Sequence, residues 1–331
     1  MKPATVSPFL TWTRWRFEMP APIASPHRPV LLAETLAALA VHPAGCYVDA
    51  TFGRGGHAVA LLEALGPEGR LLALDRDPEA RRWAASRFGG DGRFAFVQGT
   101  FSRLTEMISA HGLAGRLDGI LFDLGVSSPQ LDEPARGFSF SQDGPLDMRM
   151  DPTTGDSAAV WLNRVEETEL ARVLAEFGEE RFHRRVARAI VAARRQAPIA
   201  TTARLARIVA KAVPTREPGK HPATRAFQAI RIAVNDELGE LRAVLPQTVR
   251  MLAPGGRLVV ISFHSLEDRV VKRFMREQAR GQELPPDLPV RGVPEGRTLR
   301  LIGRPVRPGT AEIAANPRAR SAVLRVAERL E

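Results

Sequence analysis

Short apolar runs that end in an acid recur at intervals through the first part of the chain. Tyr47-Val48 leads to Asp49, Arg70-Leu71-Leu72-Ala73-Leu74 to Asp75, and Leu117 to Phe122 leads to Asp123. Arg93 to Val97 supplies one more such run, followed by Gly99-Thr100-Phe101. Helical patterns separate these strands, and the alternation predicts a parallel sheet with helices on both faces. In such open α/β sheets ligands bind outside the carboxyl ends of the strands, where each of these runs carries a candidate ligand.

The alternation stops after the fourth strand. Leu131 to Met150 is rich in Asp, Gly, Pro and Ser, which predicts a long ordered loop or lid, and a helical insertion follows. The clearest helix is expected over Glu179 to Arg195, with Phe182, Val186, Ala189, Ile190 and Ala193 on one side and Arg181, Arg184, Arg185, Arg188 and Arg195 on the other. Thr202 is expected to cap a second helix, in which Leu205, Ile208, Val209 and Ala212 oppose Arg204, Arg207 and Lys211. The sheet then resumes. Leu252 to Arg257 predicts a turn into a fifth strand, Leu258 to Ile261, and Leu299 to Ile302 and Ala322 to Ala327 predict an antiparallel finish. The expected organisation is a loose tail over 1–26, an α/β core over 27–131, an inserted lid and basic helical domain over 132–222, and the rest of the core with the C-terminal strands over 223–331.

The loop after the first strand adds chemistry. Asp49-Ala50-Thr51-Phe52-Gly53-Arg54-Gly55-Gly56-His57 is an acid followed by a glycine-rich turn that opens a helix, where the backbone comes close to a ligand and N–H groups face it. Asp75, at the end of the second strand, stands where doubly wound folds hold ribose hydroxyls. The turn lacks the Gly-x-Gly-x-x-Gly spacing of a dinucleotide site and the Gly-Lys-Ser/Thr ending of a phosphate loop. The chain has only four lysines, Lys2, Lys211, Lys220 and Lys272. NAD, ATP and GTP therefore fit poorly, and S-adenosylmethionine, which has no phosphate, remains.

Composition excludes several classes. At 331 residues and 44% apolar, with no long apolar run, the chain reads as a soluble globular protein with no membrane span. A single cysteine, Cys46, cannot build a disulfide framework or a cysteine metal site, and seven scattered histidines show no ligand spacing, so no metal is expected and a cytoplasmic setting fits. The net charge is +10, whereas Arg181 to Arg225 alone holds twelve Arg or Lys against one acid, Glu217, a net of +11. Clustering of that kind predicts a polyanionic partner whose phosphate backbone the two basic helix faces would track.

Longer motifs then become specific. Asp49 to His57, Asp75-Arg-Asp-Pro78, Asp123-Leu-Gly-Val-Ser-Ser-Pro-Gln130, Arg136-Gly-Phe-Ser-Phe140, Gly144 to Asp151, Thr224 to Glu237, Ser262-Phe-His-Ser-Leu-Glu-Asp-Arg269 and Asn316 to Ser321 together resemble the RsmH/MraW family, from about His27 to Arg329. The resemblance implies a class I, Rossmann-like, S-adenosylmethionine-dependent methyltransferase core interrupted by a helical domain that holds RNA. It also implies methylation of N4 of a cytidine in the decoding centre of 16S rRNA, with the small ribosomal subunit as partner. By position it places the cofactor against Gly55, Gly56, His57, Asp75, Phe101, Asp123 and Gln130, to which the loop itself adds Asp49 and Gly53.

The residue inventory agrees with a nitrogen target. Methylation at carbon 5 of a pyrimidine needs a thiol nucleophile, and Cys46 lies before the first strand; ribose methylation commonly uses lysines, and none stands at the cofactor strands. An exocyclic amino group needs acceptors and a near-attack line to the methyl donor. Asp123 is the expected acceptor, with His264 after the fifth strand as a second candidate for proton removal. Where many amino methyltransferases carry Asp/Asn/Ser-Pro-Pro-Tyr/Phe, this chain has Asp123-Leu124-Gly125-Val126, so no base-stacking aromatic is identified. A DNA amino-methyltransferase and a non-catalytic RNA-binding assembly factor are the competing readings, and the sequence leaves monomer and homodimer open.

Overall fold

The computed structural model describes residues 29–215, 221–281 and 296–331. The tail expected over 1–26, together with Glu217 and Lys220 of the basic stretch, lies outside them. The chain divides into two compact units, residues 1–124 with 242–331, and residues 125–241.

The first unit is built on a seven-stranded sheet. In chain order it contains α1 (Leu32–Leu39), β1 (Cys46–Asp49), α2 (Gly56–Ala64), β2 (Arg70–Asp75), α3 (Pro78–Phe88), β3 (Phe94–Gln98), α4 (Leu104–Ala110) and β4 (Leu117–Asp123). The strand order is β3-β2-β1-β4, continued by β5 (Leu252–Ser262), β7 (Val323–Arg329) and β6 (Leu299–Leu301). β1 to β5 pair in parallel, and β7 runs antiparallel to both β5 and β6. Tyr47, Leu71, Ala73, Leu121, Val259 and Ile261 join one hydrophobic cluster, while their strand neighbours Val48, Leu72, Leu74, Ile120, Phe122, Leu258 and Val260 are as fully buried outside it. Since alternate side chains leave opposite faces of a strand, both faces of this sheet are covered, which accounts for the unbroken apolar runs. β5 is longer than the pattern predicted. Leu252 already pairs with Leu117, and the Pro254-Gly255-Gly256 segment sits inside the strand as an irregularity, with Gly255 at φ +81° and a register shift between Leu117 and Gly119.

The second unit is helical: α5 (Ser128–Asp132), α6 (Ala158–Arg164), α7 (Glu167–Glu176), α8 (His183–Gln196), α9 (Thr202–Ala212) and α10 (Thr224–Asn235), with the start of α11 (Glu237–Met251). It is wider than the 132–222 insertion expected. Val126 and Leu131 at one end, and Ala226, Phe227, Ala229 and Ile230 of α10 at the other, pack into the helical core, which takes them out of the sheet unit. Leu131 to Met150 is a long, largely irregular segment anchored in this unit. Phe138, Leu146 and Met148 are buried in the same core, and the irregular backbone is braced by Arg136, which donates to the carbonyls of Arg149 and Met150. Met148 adopts φ +62°, and Asn235 holds that bend by donating to Met148 O at 2.7 Å and accepting from Met150 N at 2.8 Å.

Two helix starts differ from the pattern. α8 begins at His183 and not at Glu179, because Glu179 has φ +48° and the buried Glu180 caps the turn by accepting from Phe182 N at 2.8 Å. Thr201 caps α9, whereas Thr202 is the first helical residue and turns its hydroxyl to Gln142 O and Asp143.

Candidate active site

β1, β2 and β4 are parallel neighbours, so their C-terminal acids converge. The loop that follows β1 is stitched to the adjoining strands: Ala50 N donates to Leu121 O, Phe52 N to Leu74 O, and Asp123 N to Thr51 Oγ1 at 2.6 Å. Asp75 binds the loop directly. Its Oδ2 accepts from Gly53 N at 2.7 Å and its Oδ1 from Asp77 N at 2.9 Å, while Asp77 itself caps α3.

The glycines of the loop are required by the protein as well as by any ligand. Gly55 is at φ +73°, and a Cβ there would lie 2.7 Å from the Phe52 ring and 2.9 Å from the Phe88 ring. At Gly56 a Cβ would meet Pro29 at 2.5 Å. A side chain at either position would displace aromatic or proline packing, a constraint that spacing alone does not reveal.

Electrostatics define what the crevice prefers. Asp49 is 1% exposed, and its Oδ1 accepts from Thr51 N at 3.2 Å. Burial pushes its carboxyl up to about 7; nearby His57 and the Thr51 N–H work against this, and the charges of Asp123 and Asp75 add to it. Asp75 is raised to about 6 by desolvation, against the pull of the Asp77 and Gly53 N–H groups. His57 is 5% exposed, and its Nε2 lies 3.4 Å from Asp123 Oδ2, off hydrogen-bond alignment but at ion-pair distance. Burial alone would lower the imidazole pKa, yet Asp123 and Asp49 together raise it. Asp123 Oδ1 is buried with no hydrogen-bond partner. Asp123 and Asp49 share one imidazole, and the charge of Asp75 adds to the field at Asp49, so a cationic ligand would relieve their mutual repulsion, and one acceptor atom stands ready for a donor.

The remaining expected residues divide. Phe101 follows β3 in a short 3-10 turn, is partly exposed and meets Phe122 edge-on at 5.9 Å. Gln247 of α11, which the sequence reading missed, fixes this turn: it accepts from Thr105 N and donates to Ser102 O. Gln130 belongs to the helical unit, where its Oε1 accepts from Ser127 N at 2.9 Å in a capping box. His264 is the N-cap of α12 (Ser265–Arg280). Its Nδ1 accepts from Glu267 N at 3.4 Å, and Glu267 Oε2 returns the contact to His264 N at 3.3 Å. His264 therefore has a structural part as a helix cap, and its Nε2 lies 3.2 Å from Oε1 of the buried Glu267.

On the helical unit, Arg181, Arg184, Arg185 and Arg188 at α8, and Arg207 and Lys211 on α9, are exposed. Arg204 departs from the expected face. It is partly buried and donates to Ala193 O at 3.4 Å and Ala197 O at 3.1 Å, closing the C-terminal end of α8.

The MraW methylase family model matches residues 24–330. The chain belongs to that family. The ribosomal RNA small subunit methyltransferase H of Thioalkalivibrio sulfidiphilus is 62% identical over 312 residues, covering 94% of this chain and 98% of that relative. The protein of the same name from Halorhodospira halophila is 58% identical over 310 residues, covering 93% and 96%. Among solved structures, an rRNA methylase from Streptococcus thermophilus aligns over 93% of this chain and all of that one, at 12% identity and a TM-score of 0.40. This MraW-family chain is an S-adenosylmethionine-dependent methyltransferase with a Rossmann-like core. The residues present suit that donor: a cation-seeking set of carboxylates, and bare backbone at Gly53, Gly55 and Gly56. Among the described residues no helix is long and apolar enough to cross a membrane.

Proposed function

We propose that the chain transfers a methyl group to the exocyclic N4 of a cytidine in the decoding centre of 16S rRNA, acting in the cytoplasm on the small ribosomal subunit. One observation carries the chemical part: Asp123 Oδ1, buried and without a partner, at the C-terminal end of β4 among the other strand-end carboxylates. The RNA part is supported by the exposed guanidinium face of α8 and by the names of relatives that span nearly the whole chain.

Asp75 would hold the ribose hydroxyls of the donor, Phe101 would cover its adenine, and Asp49, Gly53, Gly55, Gly56 and His57 would form the floor under its amino acid end. When bound, the donor supplies an electrophilic methyl on a sulfonium, so no metal is required. Asp123 Oδ1 would accept one hydrogen of the amino group, orient the nitrogen, and take the proton released as the N–C bond forms and the sulfur–methyl bond breaks, the sulfur leaving as a neutral thioether. His57 beside Oδ2 keeps that carboxylate in place and shares its charge. Arg181, Arg184, Arg185, Arg188, Arg207 and Lys211 would engage phosphates.

The test uses small subunits from cells lacking the gene, incubated with labelled donor and the full chain, followed by nucleoside mass spectrometry. Label on the N4 position of one cytidine is the expected result. Incorporation at carbon or at a ribose oxygen would overturn the chemistry. Donor binding without incorporation would leave the assembly-factor reading in its place.

A further inference from the structure

At the strand ends the partly exposed aromatic Phe101 is the one assigned to the donor's adenine, and in the helical unit a ring suited to an unpaired base is His221. Its imidazole stacks on Phe140 with centroids 4.6 Å apart and planes inclined by 37°, and Phe140 in turn meets the buried Phe227 edge-on at 4.8 Å. His221 is exposed although the rings beneath it are not. Its orientation is fixed, because Nδ1 accepts from Ala223 N at 3.1 Å. The result is an exposed flat ring backed by two aromatic layers.

The charge around this ring matches a nucleic acid strand. Arg225, four residues on and in the first turn of α10, donates to Glu179 O at 2.9 Å, and the Arg225 carbonyl lies so close to Gly178 that a Cβ there would sit 2.7 Å away. The start of α10 therefore adjoins the lead-in to α8, where the exposed Arg181 and then Arg184 and Arg185 begin the guanidinium face. A strand whose phosphates follow that face arrives beside an exposed aromatic ring.

We infer that His221, supported by Phe140, is a stacking platform for an unpaired base of the bound RNA. The inference rests on the RNA reading given above. Base stacking on aromatic side chains tolerates any base, so the platform would hold an unpaired nucleotide of the bound RNA and would not select sequence.

Two substitutions separate the ring from its helix-start role. His221→Asn removes the ring while its Oδ1 can still accept from Ala223 N, whereas His221→Tyr keeps a flat ring and loses that acceptor. Binding of a fluorescently labelled, unstructured RNA decamer of cytidine and adenosine is measured by anisotropy over a range of salt. The expected result is affinity about 5- to 50-fold weaker for His221→Asn, with an unchanged slope of log affinity against log salt, and affinity within about twofold of the parent for His221→Tyr. Unchanged affinity in His221→Asn, or equal losses in both variants, would overturn the platform while leaving the RNA reading intact. A decamer of the same length lacking its bases needs no variant: it should bind the parent more weakly by a similar factor, and equal binding would also overturn the platform. A parent chain that shows no salt-dependent binding to either decamer would instead bring down the arginine-face reading, and the platform with it.

Discussion

Replacing Asp49 with Asn tests the electrostatic account of the donor crevice, because stability and binding are expected to move in opposite directions. Asn retains an oxygen to accept from Thr51 N and removes only the titratable charge. The Asp49 carboxyl is raised from 3.8 to about 7, mainly by burial. Below pH 3.8 both the folded and the unfolded chain carry the neutral acid and nothing is lost. As pH rises from 3.8 to about 7 the unfolded chain releases its proton while the folded chain keeps it, so stability falls across that window, and above it the full cost remains. A gap of roughly three pH units at about 1.36 kcal/mol each sets a ceiling of about 4 kcal/mol. The donor-free variant should therefore melt several degrees above the parent at pH 8, given roughly 2–4 °C per kcal/mol for a unit of this size, and level with it at pH 4. Donor affinity at pH 8, read by calorimetry, should fall about tenfold, since one carboxylate facing the cation is gone. Scanning calorimetry across pH decides the matter. A melting difference that does not change with pH, or a variant less stable than the parent at pH 8, would refute the burial argument.

Other substitutions probe separate parts of the molecule. Gly55→Ala should destabilise by about 2–4 kcal/mol through its positive φ and its clash with Phe52 and Phe88, seen as a lower urea midpoint even without donor. His264→Asn, which can still cap α12, should keep methyl transfer within about twofold of the parent across pH 6–9; a loss of a hundredfold or more would restore the histidine as a proton acceptor. Arg184, Arg185 and Arg188 changed together to Glu should weaken binding to small subunits by tenfold or more at low salt, with donor affinity unchanged in calorimetry. Asp75→Ala should lose donor affinity and also lower the melting temperature, because it frees both Gly53 N and Asp77 N.

The strands were legible because burial on both faces makes each one a continuous apolar run, and the terminating acids of β1, β2 and β4 are where the sequence places them. The antiparallel C-terminal pair is only partly covered, with Leu301 exposed, and was legible from its short strand-like runs alone. Allegiance of elements was not: α10 is an amphipathic helix that could pack against either core, and only its contacts with the helical cluster assign it. The left-handed turn at Glu179 and the amide of Gln247 have partners far along the chain, and Arg204 turns back onto the preceding helix end, none of which periodicity reports. His264 was within reach, since His264 and Glu267 stand at capping-box spacing just after a strand.

The grip of Asp75 on Gly53 N and Asp77 N has a kinetic consequence. A carboxylate already fixed at both oxygens has no rotamer freedom left to surrender when a hydroxyl arrives, a saving of about 0.5–1.5 kcal/mol per immobilised side chain. Association at this strand tip is then governed by how quickly the nucleoside diffuses in, and residence time becomes the quantity that substitutions here would change.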